Sequence, residues 1–207
     1  MAIVATDWAW PTTVTGTGWS ATSGTLADAV LSDDTNYASS TSPLSSTPLQ
    51  MSDWITALAT PIAIPPGATP VGLEIKFRAW CASATIPPLT TDVAFRFGYT
   101  PGTMLYDEKT QAVIDITNQP GTEYTLGGAS DLWSGGWTDV QAEAAALHFY
   151  GSGFAGSPAT RYLDYILMRI WYSEGTVIGP GGILAADLTR YIPGMSAKGS
   201  TFSVKGR

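Results

Sequence analysis

Val71-Gly72-Leu73-Glu74-Ile75-Lys76-Phe77-Arg78-Ala79 alternates side chains without a break. In an extended chain successive side chains point to opposite faces. Val71, Leu73, Ile75, Phe77 and Ala79 therefore enter a core, while Gly72, Glu74, Lys76 and Arg78 meet water. Val93, Phe95, Phe97 and Tyr99 repeat the pattern, with Ala94, Arg96 and Gly98 opposite. Sheets wet on one face are usually antiparallel, so the two runs read as antiparallel neighbours joined by the Pro-containing loop 85–91.

Outward from this pair the same period continues. Residues 53–64 read as a strand that stops at Pro65-Pro66-Gly67-Ala68, where Pro66 presets φ and Gly67 permits a tight turn. Residues 112–117 and 123–126 predict two more strands, separated by Asn118-Gln119-Pro120-Gly121. Thr138 followed by Gln141 has capping-box spacing and opens a short Ala-rich helix to about residue 146. Residues 163–172 form the last strand of the body. Ile166, Met168, Ile170 and Tyr172 share one face; Tyr165, Leu167, Arg169 and Trp171 share the other. Both faces are largely apolar, so this strand is central or its outer face meets another chain.

Seven to nine strands with turn-rich connections predict an all-β fold, an antiparallel jelly-roll-like β-sandwich with one short helix and extended N- and C-terminal arms. Residues 26–174 form the sandwich domain. Residues 1–25, with Trp8, Trp10 and Trp19 in polar sequence, read as an extended arm or edge strand; the alternative is that these rings cover one end of the core. Residues 175–207 are Gly- and Pro-rich with isolated apolar anchors, too few per length to build a core of their own.

Charge divides the chain at the same place. Residues 1–174 carry six basic and sixteen acidic side chains, a balance of −10; Arg190, Lys198, Lys205 and Arg207 against Asp187 give the tail +3. A net −7 argues against nucleic acid as the main partner, because phosphate binding needs clustered cations. Charged residues are only 13% of the chain, about half the usual share, so apolar and aromatic surface is left for something else to cover. Cys81 is the only cysteine, which excludes a disulfide framework and a thiolate metal cluster. No secretory signal and no run of eighteen apolar residues is visible, so no membrane partner is expected.

Candidate chemistry is sparse. His148 is the only histidine and lies between Leu147 and Phe149 in an apparent strand, and no serine has a GxSxG setting; a structural histidine is the expectation. Asp33 and Asp34 stand in a polar turn, where short acids cap local backbone; calcium is the competing reading, since an acidic turn can supply hard oxygen ligands. No other cofactor is expected. Asp33-Asp34 and Asp107-Glu108 leave a two-carboxylate glycosidase formally open, but both pairs read as turn acids. Trp133 and Trp137, in an aromatic loop, either stack sugars or cap the end of the sandwich.

Three segments in order resemble the minor structural proteins of tailed phages. Ala29-Val30-Leu31-Ser32-Asp33-Asp34-Thr35-Asn36-Tyr37-Ala38 looks like their A-x-x-x-D-D-x-x-Y-A opening. Ile62-Ala63-Ile64-Pro65-Pro66-Gly67-Ala68-Thr69-Pro70-Val71-Gly72-Leu73-Glu74-Ile75 is similar to F-x-I-P-x-G-A-T-I-x-G-I-x-V. Leu163-Asp164-Tyr165-Ile166-Leu167-Met168-Arg169-Ile170-Trp171-Tyr172 resembles the closing V-D-Y-V-x-V-x-V-x-Y strand. The resemblance covers about residues 26–172 and implies a jelly-roll-like module of virions, in tail, fibre or capsid-surface roles, with no catalytic residues to carry over.

The expectation is a non-enzymatic virion protein, assembled in the host cytoplasm. It sits at the capsid surface as a decoration protein, or at the head–tail junction as an accessory protein. Its partners are capsid, neck or tail subunits and further copies of itself, with a trimer as the guess. Arg190, Tyr191, Ile192, Lys198, Phe202, Lys205 and Arg207 are the expected assembly contacts, because a basic tail suits acidic neighbours and several shallow anchors gain strength together. The alternative is a carbohydrate-binding module on a host-facing fibre or spike.

Overall fold

A computed structural model describes residues 2–31, 34–41, 47–83, 91–100, 103–104, 108–113, 122–133, 135–152 and 159–174. In chain order the strands are β1 (Ile3–Ala5), β2 (Ala9–Thr15), β3 (Ser20–Ala21), β4 (Ala38–Ser40), β5 (Leu49–Thr56) and β6 (Thr69–Ser83). There follow β7 (Thr91–Thr100), β8 (Thr103–Met104), β9 (Lys109–Val113), β10 (Thr122–Gly127), β11 (Ala146–Ser152) and β12 (Ala159–Ser173). A 3-10 turn at Asp28–Val30 and helix α1 (Asp139–Glu143) complete the described elements.

Every strand pair is antiparallel, in the order β10-β6-β12-β2-β5-β11-β7-β8, with β1 and β4 also on β12, β3 on β4 and β9 on β7. β2 is the corner. It runs along β5 from Ala9 to Thr15 but meets β12 only at Ala9↔Met168. Beyond it the ladder folds over, so that Phe77 of β6 packs across the core on Phe95 of β7 at 4.6 Å, and Phe95 lies 5.0 Å from its cross-strand partner Phe149 of β11. The result is a two-layered β-sandwich of jelly-roll kind with one short helix, as the sequence predicts.

The alternation in β6 holds: Leu73, Ile75, Phe77, Ala79 and Cys81 are buried in one core with Phe95, Phe97, Leu147, Ile166, Met168 and Ile170. The predicted pairing of β6 with β7 does not. β6 pairs with β10 and β12, and β7 with β11, β9 and β8, so the two runs face each other across the core. Alternation fixes which face is buried but not which strand lies alongside. The strand expected over 53–64 lies earlier, at Leu49–Thr56. Asp53 at φ 55 and Ala59 at φ 56 bend the backbone, and residues 61–64 continue as irregular chain.

β12 is the central strand of its layer, and Ile166, Met168 and Ile170 face the core as predicted. The N-terminal segment is built into the body. β1 and β2 are strands of the sandwich, β2 lies between β5 and β12, and Trp19 packs buried on Phe149 at 5.5 Å. Of the readings for residues 1–25, the extended arm is corrected: the segment supplies strands of the sandwich, and the buried Trp19 fits the alternative that these rings cover the core; residues 2–174 form one compact unit. In α1 both halves of the predicted capping box are made, Thr138 Oγ1 accepting from Gln141 N and Gln141 Oε1 from Thr138 N. The helix stops at Glu143, earlier than expected. Gly67, at φ 79, turns the chain where Ala68 N donates to Pro65 O at 3.0 Å.

Candidate functional site

The outer face of β6 and β12 carries a row of aromatic side chains, of which Tyr162 and Trp171 are partly exposed while Trp80 and Tyr165 are buried. Because β6 turns Leu73, Ile75, Phe77 and Ala79 inward, it turns Glu74, Lys76, Arg78 and Trp80 outward. The register sets Tyr162 beside Trp80, Tyr165 beside Arg78, Leu167 beside Lys76, Arg169 beside Glu74 and Trp171 beside Gly72. A bulge between Leu163 and Tyr165 takes up Asp164 and keeps residues on both sides of it in phase with β6.

Three clusters follow one another along this face. At one end the Trp80 and Tyr162 rings stack with centroids 5.0 Å apart and planes 5° from parallel, and Tyr37 meets both edge-on. In the middle the Arg78 guanidinium lies 5.3 Å over the Tyr165 ring and 3.6 Å from the buried Asp164 carboxylate. The Tyr165 hydroxyl donates to Glu123 of β10, which also pairs with Lys76 at 2.9 Å. At the far end the Arg169 guanidinium lies 4.4 Å from the Trp8 ring and 4.7 Å from the Trp171 ring. Glu74 Oε2 accepts from Arg169 Nε at 2.9 Å and from Trp171 Nε1 at 2.8 Å.

Glu74, Glu123 and Asp164 each face a cation, and the Tyr165 hydroxyl and Lys76 ammonium hold the Glu123 carboxyl below its ordinary range. The Glu123 carboxyl so held stays ionised at neutral pH, whereas a glycosidase acid must keep its proton. The ring surface left partly exposed on and beside this face is that of Tyr37 and Tyr162 at one end and of Trp8 and Trp171 at the other.

The residues singled out from sequence fall elsewhere. Trp133 and Trp137 are buried, at 1% and 5% exposure, so of the two readings for them sugar stacking is overturned and covering the core fits. Gly127, at φ 84, lets the chain return so closely that a Cβ there would lie 2.0 Å from Leu73 O. The returning loop drives Trp133 inward, where its Nε1 donates to Leu73 O at 3.3 Å, and Trp137 stacks on Phe97 at 4.1 Å. Asp34 Oδ1 accepts from Asn36 N at 2.6 Å, which is the turn-capping role. Asp33 lies outside the described residues, and among the described residues no cluster of three His, Cys, Asp or Glu could hold a metal. Asp164 sits within β12 facing Arg78. The expected assembly contacts Arg190, Tyr191, Ile192, Lys198, Phe202, Lys205 and Arg207 lie outside the described residues.

His148 stands in β11 between Gln50 of β5 and Arg96 of β7. Its Nε2 is buried without a hydrogen-bond partner, and burial, reinforced by the Arg96 charge, holds the imidazole below its ordinary pKa. Arg96 pairs with Glu108 at 3.3 Å, and Glu108 also accepts from the Tyr150 hydroxyl.

Sequence reasoning missed the Trp8–Arg169–Trp171–Glu74 cluster. Its one visible signal was the apolar outer face of β12, because Glu74 and Arg169 are far apart in sequence and only the β6–β12 register joins them.

No family model matches the chain, and no curated protein matches it. Among solved structures it is similar to the CBM22-1 xylan-binding domain of Paenibacillus barcinonensis Xyn10C, with a TM-score of 0.36 and 11% identity, over 81% of this chain and 92% of that one. It is also similar to the CBM22-1–GH10 modules of Clostridium thermocellum endo-1,4-beta-D-xylanase 10B complexed with xylohexaose. There the TM-score is 0.36 and the identity 11%, over 84% of this chain and 29% of that one. At such distance what those proteins bind does not transfer to this chain.

Proposed function

We propose that this chain is a non-enzymatic structural protein of a tailed-phage virion, a capsid-surface or head–tail accessory protein that works in several copies. The observation that carries the reading is where the three phage-like segments lie. The segment from Ala29 to Ala38 joins β12 through Ala38↔Leu163, and the segment ending at Ile75 joins it through Ile75↔Met168. All three motifs therefore build one unit around β12. The ion pairs that engage Glu74, Glu123 and Asp164 on the outer face, and the burial of His148 within β11, support a role without chemistry. The +3 tail after a −10 body supports attachment to acidic neighbours. Immuno-gold labelling of intact particles tests the proposal: labelling at a fixed site is expected, and unlabelled particles would reject it.

A second reading, a carbohydrate-binding module on a host-facing fibre, is favoured by one observation. Trp8 and Trp171 sit partly exposed beside Arg169 and Glu74 on a sheet face, where rings can meet sugar C–H faces and the charged pair can meet hydroxyls. A glycan array, with and without calcium, decides it. Binding that disappears in Trp171→Ala would replace the structural reading.

A further inference from the structure

The loop after β5 is built as a rigid apolar edge. Thr56 N donates to Thr60 O at 2.8 Å, Ala59 N donates to Thr56 O at 2.8 Å, and the two threonine hydroxyls share a hydrogen bond at 2.8 Å. Ala59 is held at φ 56, a conformation that strains any residue with a Cβ and persists only where its surroundings enforce it. Leu58 at the tip is 80% exposed, more than any other large apolar side chain among the described residues. Ile62 N donates to Trp54 O at 2.9 Å and Ile64 N to Glu143 Oε1 at 3.1 Å, so the chain beyond the tip is pinned. With Ile62 and Ile64 buried, Ala57, Ala59, Pro61, Ala63 and Pro65 remain on the surface.

From Trp54 to Leu73 the chain carries no charged residue, within a body whose balance is −10. We infer that this loop is a self-association contact, in which Leu58 of one copy packs against the same loop of a second copy. Two bodies of like charge repel wherever their acids approach, and a charge-free edge is where they can meet at least Coulomb cost. A two-fold axis lets one patch serve both copies. Tight bracing means little loop freedom is lost on contact. Asp53 and Glu143 flank the edge and are exposed, so salt that screens them should tighten the contact. A basic partner drawn to those acids would be released by salt instead. The edge is small, so the contact is weak and matters where many copies are held close together. This inference rests on the assembly reading and names one of its surfaces.

Sedimentation equilibrium of the full-length chain tests it, with no particle present. Association should tighten at least about threefold between roughly 50 mM and 500 mM NaCl. Leu58→Asp should weaken it at least about tenfold with an unchanged melting temperature. Ala59→Gly, which keeps Leu58 and removes the Cβ strain, should associate within about threefold of the parent. A chain that is monomeric at every salt concentration, that dissociates as salt rises, or that associates equally with Leu58→Asp would overturn the inference. Labelled particles together with a monomeric free chain would sink this contact alone, whereas unlabelled particles would sink the virion reading.

Discussion

Arg169 and Glu74 meet through a single carboxylate oxygen: Arg169 Nε lies 2.9 Å and Nη2 2.8 Å from Glu74 Oε2, across the β12–β6 ladder. Trp171 Nε1 donates to the same oxygen at 2.8 Å, and the guanidinium spans the Trp8 and Trp171 rings. One side chain thus ties the N-terminal segment, the central strand and its neighbour together. Removing it should leave Glu74 short of its charged partner and two rings without their cation. Arg169→Ala should cost about 2 kcal/mol in denaturant unfolding, below the cost of breaking a fully buried pair because the side chains keep some solvent. Arg169→Lys should recover only part of the loss, since an ammonium lacks the planar fork and the flat stacking surface. Equal stability of all three chains would show that the cluster holds nothing together.

Trp133 is the test of core against surface. As a buried ring against Phe97 with its indole N–H on Leu73 O, it should destabilise the body by about 3–5 kcal/mol when replaced by alanine. Glycan affinity, if the protein has any, should stay unchanged in whatever fraction remains folded. Thermal melting and a glycan array on the same preparation separate the two effects.

His148 sets the sign of a pH effect. Its folded pKa lies below the ordinary imidazole value of 6.5, so the unfolded chain takes up the proton first as pH falls. Stability should decline as pH drops through about 6.5 and stop declining, as far as this group is concerned, below the folded value. Arg96 faces it from β7 and Gln50 from β5, with Tyr150 two residues along its own strand. His148→Gln should flatten the unfolding free energy in that window. Glu123 acts lower down: its depressed pKa contributes stability above the unfolded value near 4.5, lost as pH falls through the folded one. A His148→Gln profile that tracks the parent through pH 6.5 would contradict the assignment.

Strands with strict alternation were legible because period two is imposed by backbone geometry: β6, β7 and β12 appear where Leu73–Phe77, Val93–Phe97 and Ile166–Ile170 place them. The capping box of Thr138 and Gln141 was legible because both partners are local. Partnership was not. Phe77 and Phe95 carry the same pattern whether their strands lie side by side or in opposite layers, and only the tertiary fold makes them meet face to face. Positive φ at Asp53 and Ala59 leaves no mark in sequence, because neither residue is a glycine, and the limits of β5 were misplaced for that reason. Whether Trp133 and Trp137 stack on the surface or cover the core was not legible, because an aromatic Gly-rich loop allows both; the close return of Gly127 on Leu73 decides for burial. The Arg169–Glu74 pair needed a strand register that no local pattern encodes.

A density map of the intact particle tests the central claim most directly. The account predicts a repeated two-layered sandwich at the capsid surface or head–tail junction, with β12 at the centre of one layer and residues 175–207 resolved against neighbouring subunits. Purified particles whose map and protein composition contain no copy of this chain would contradict it.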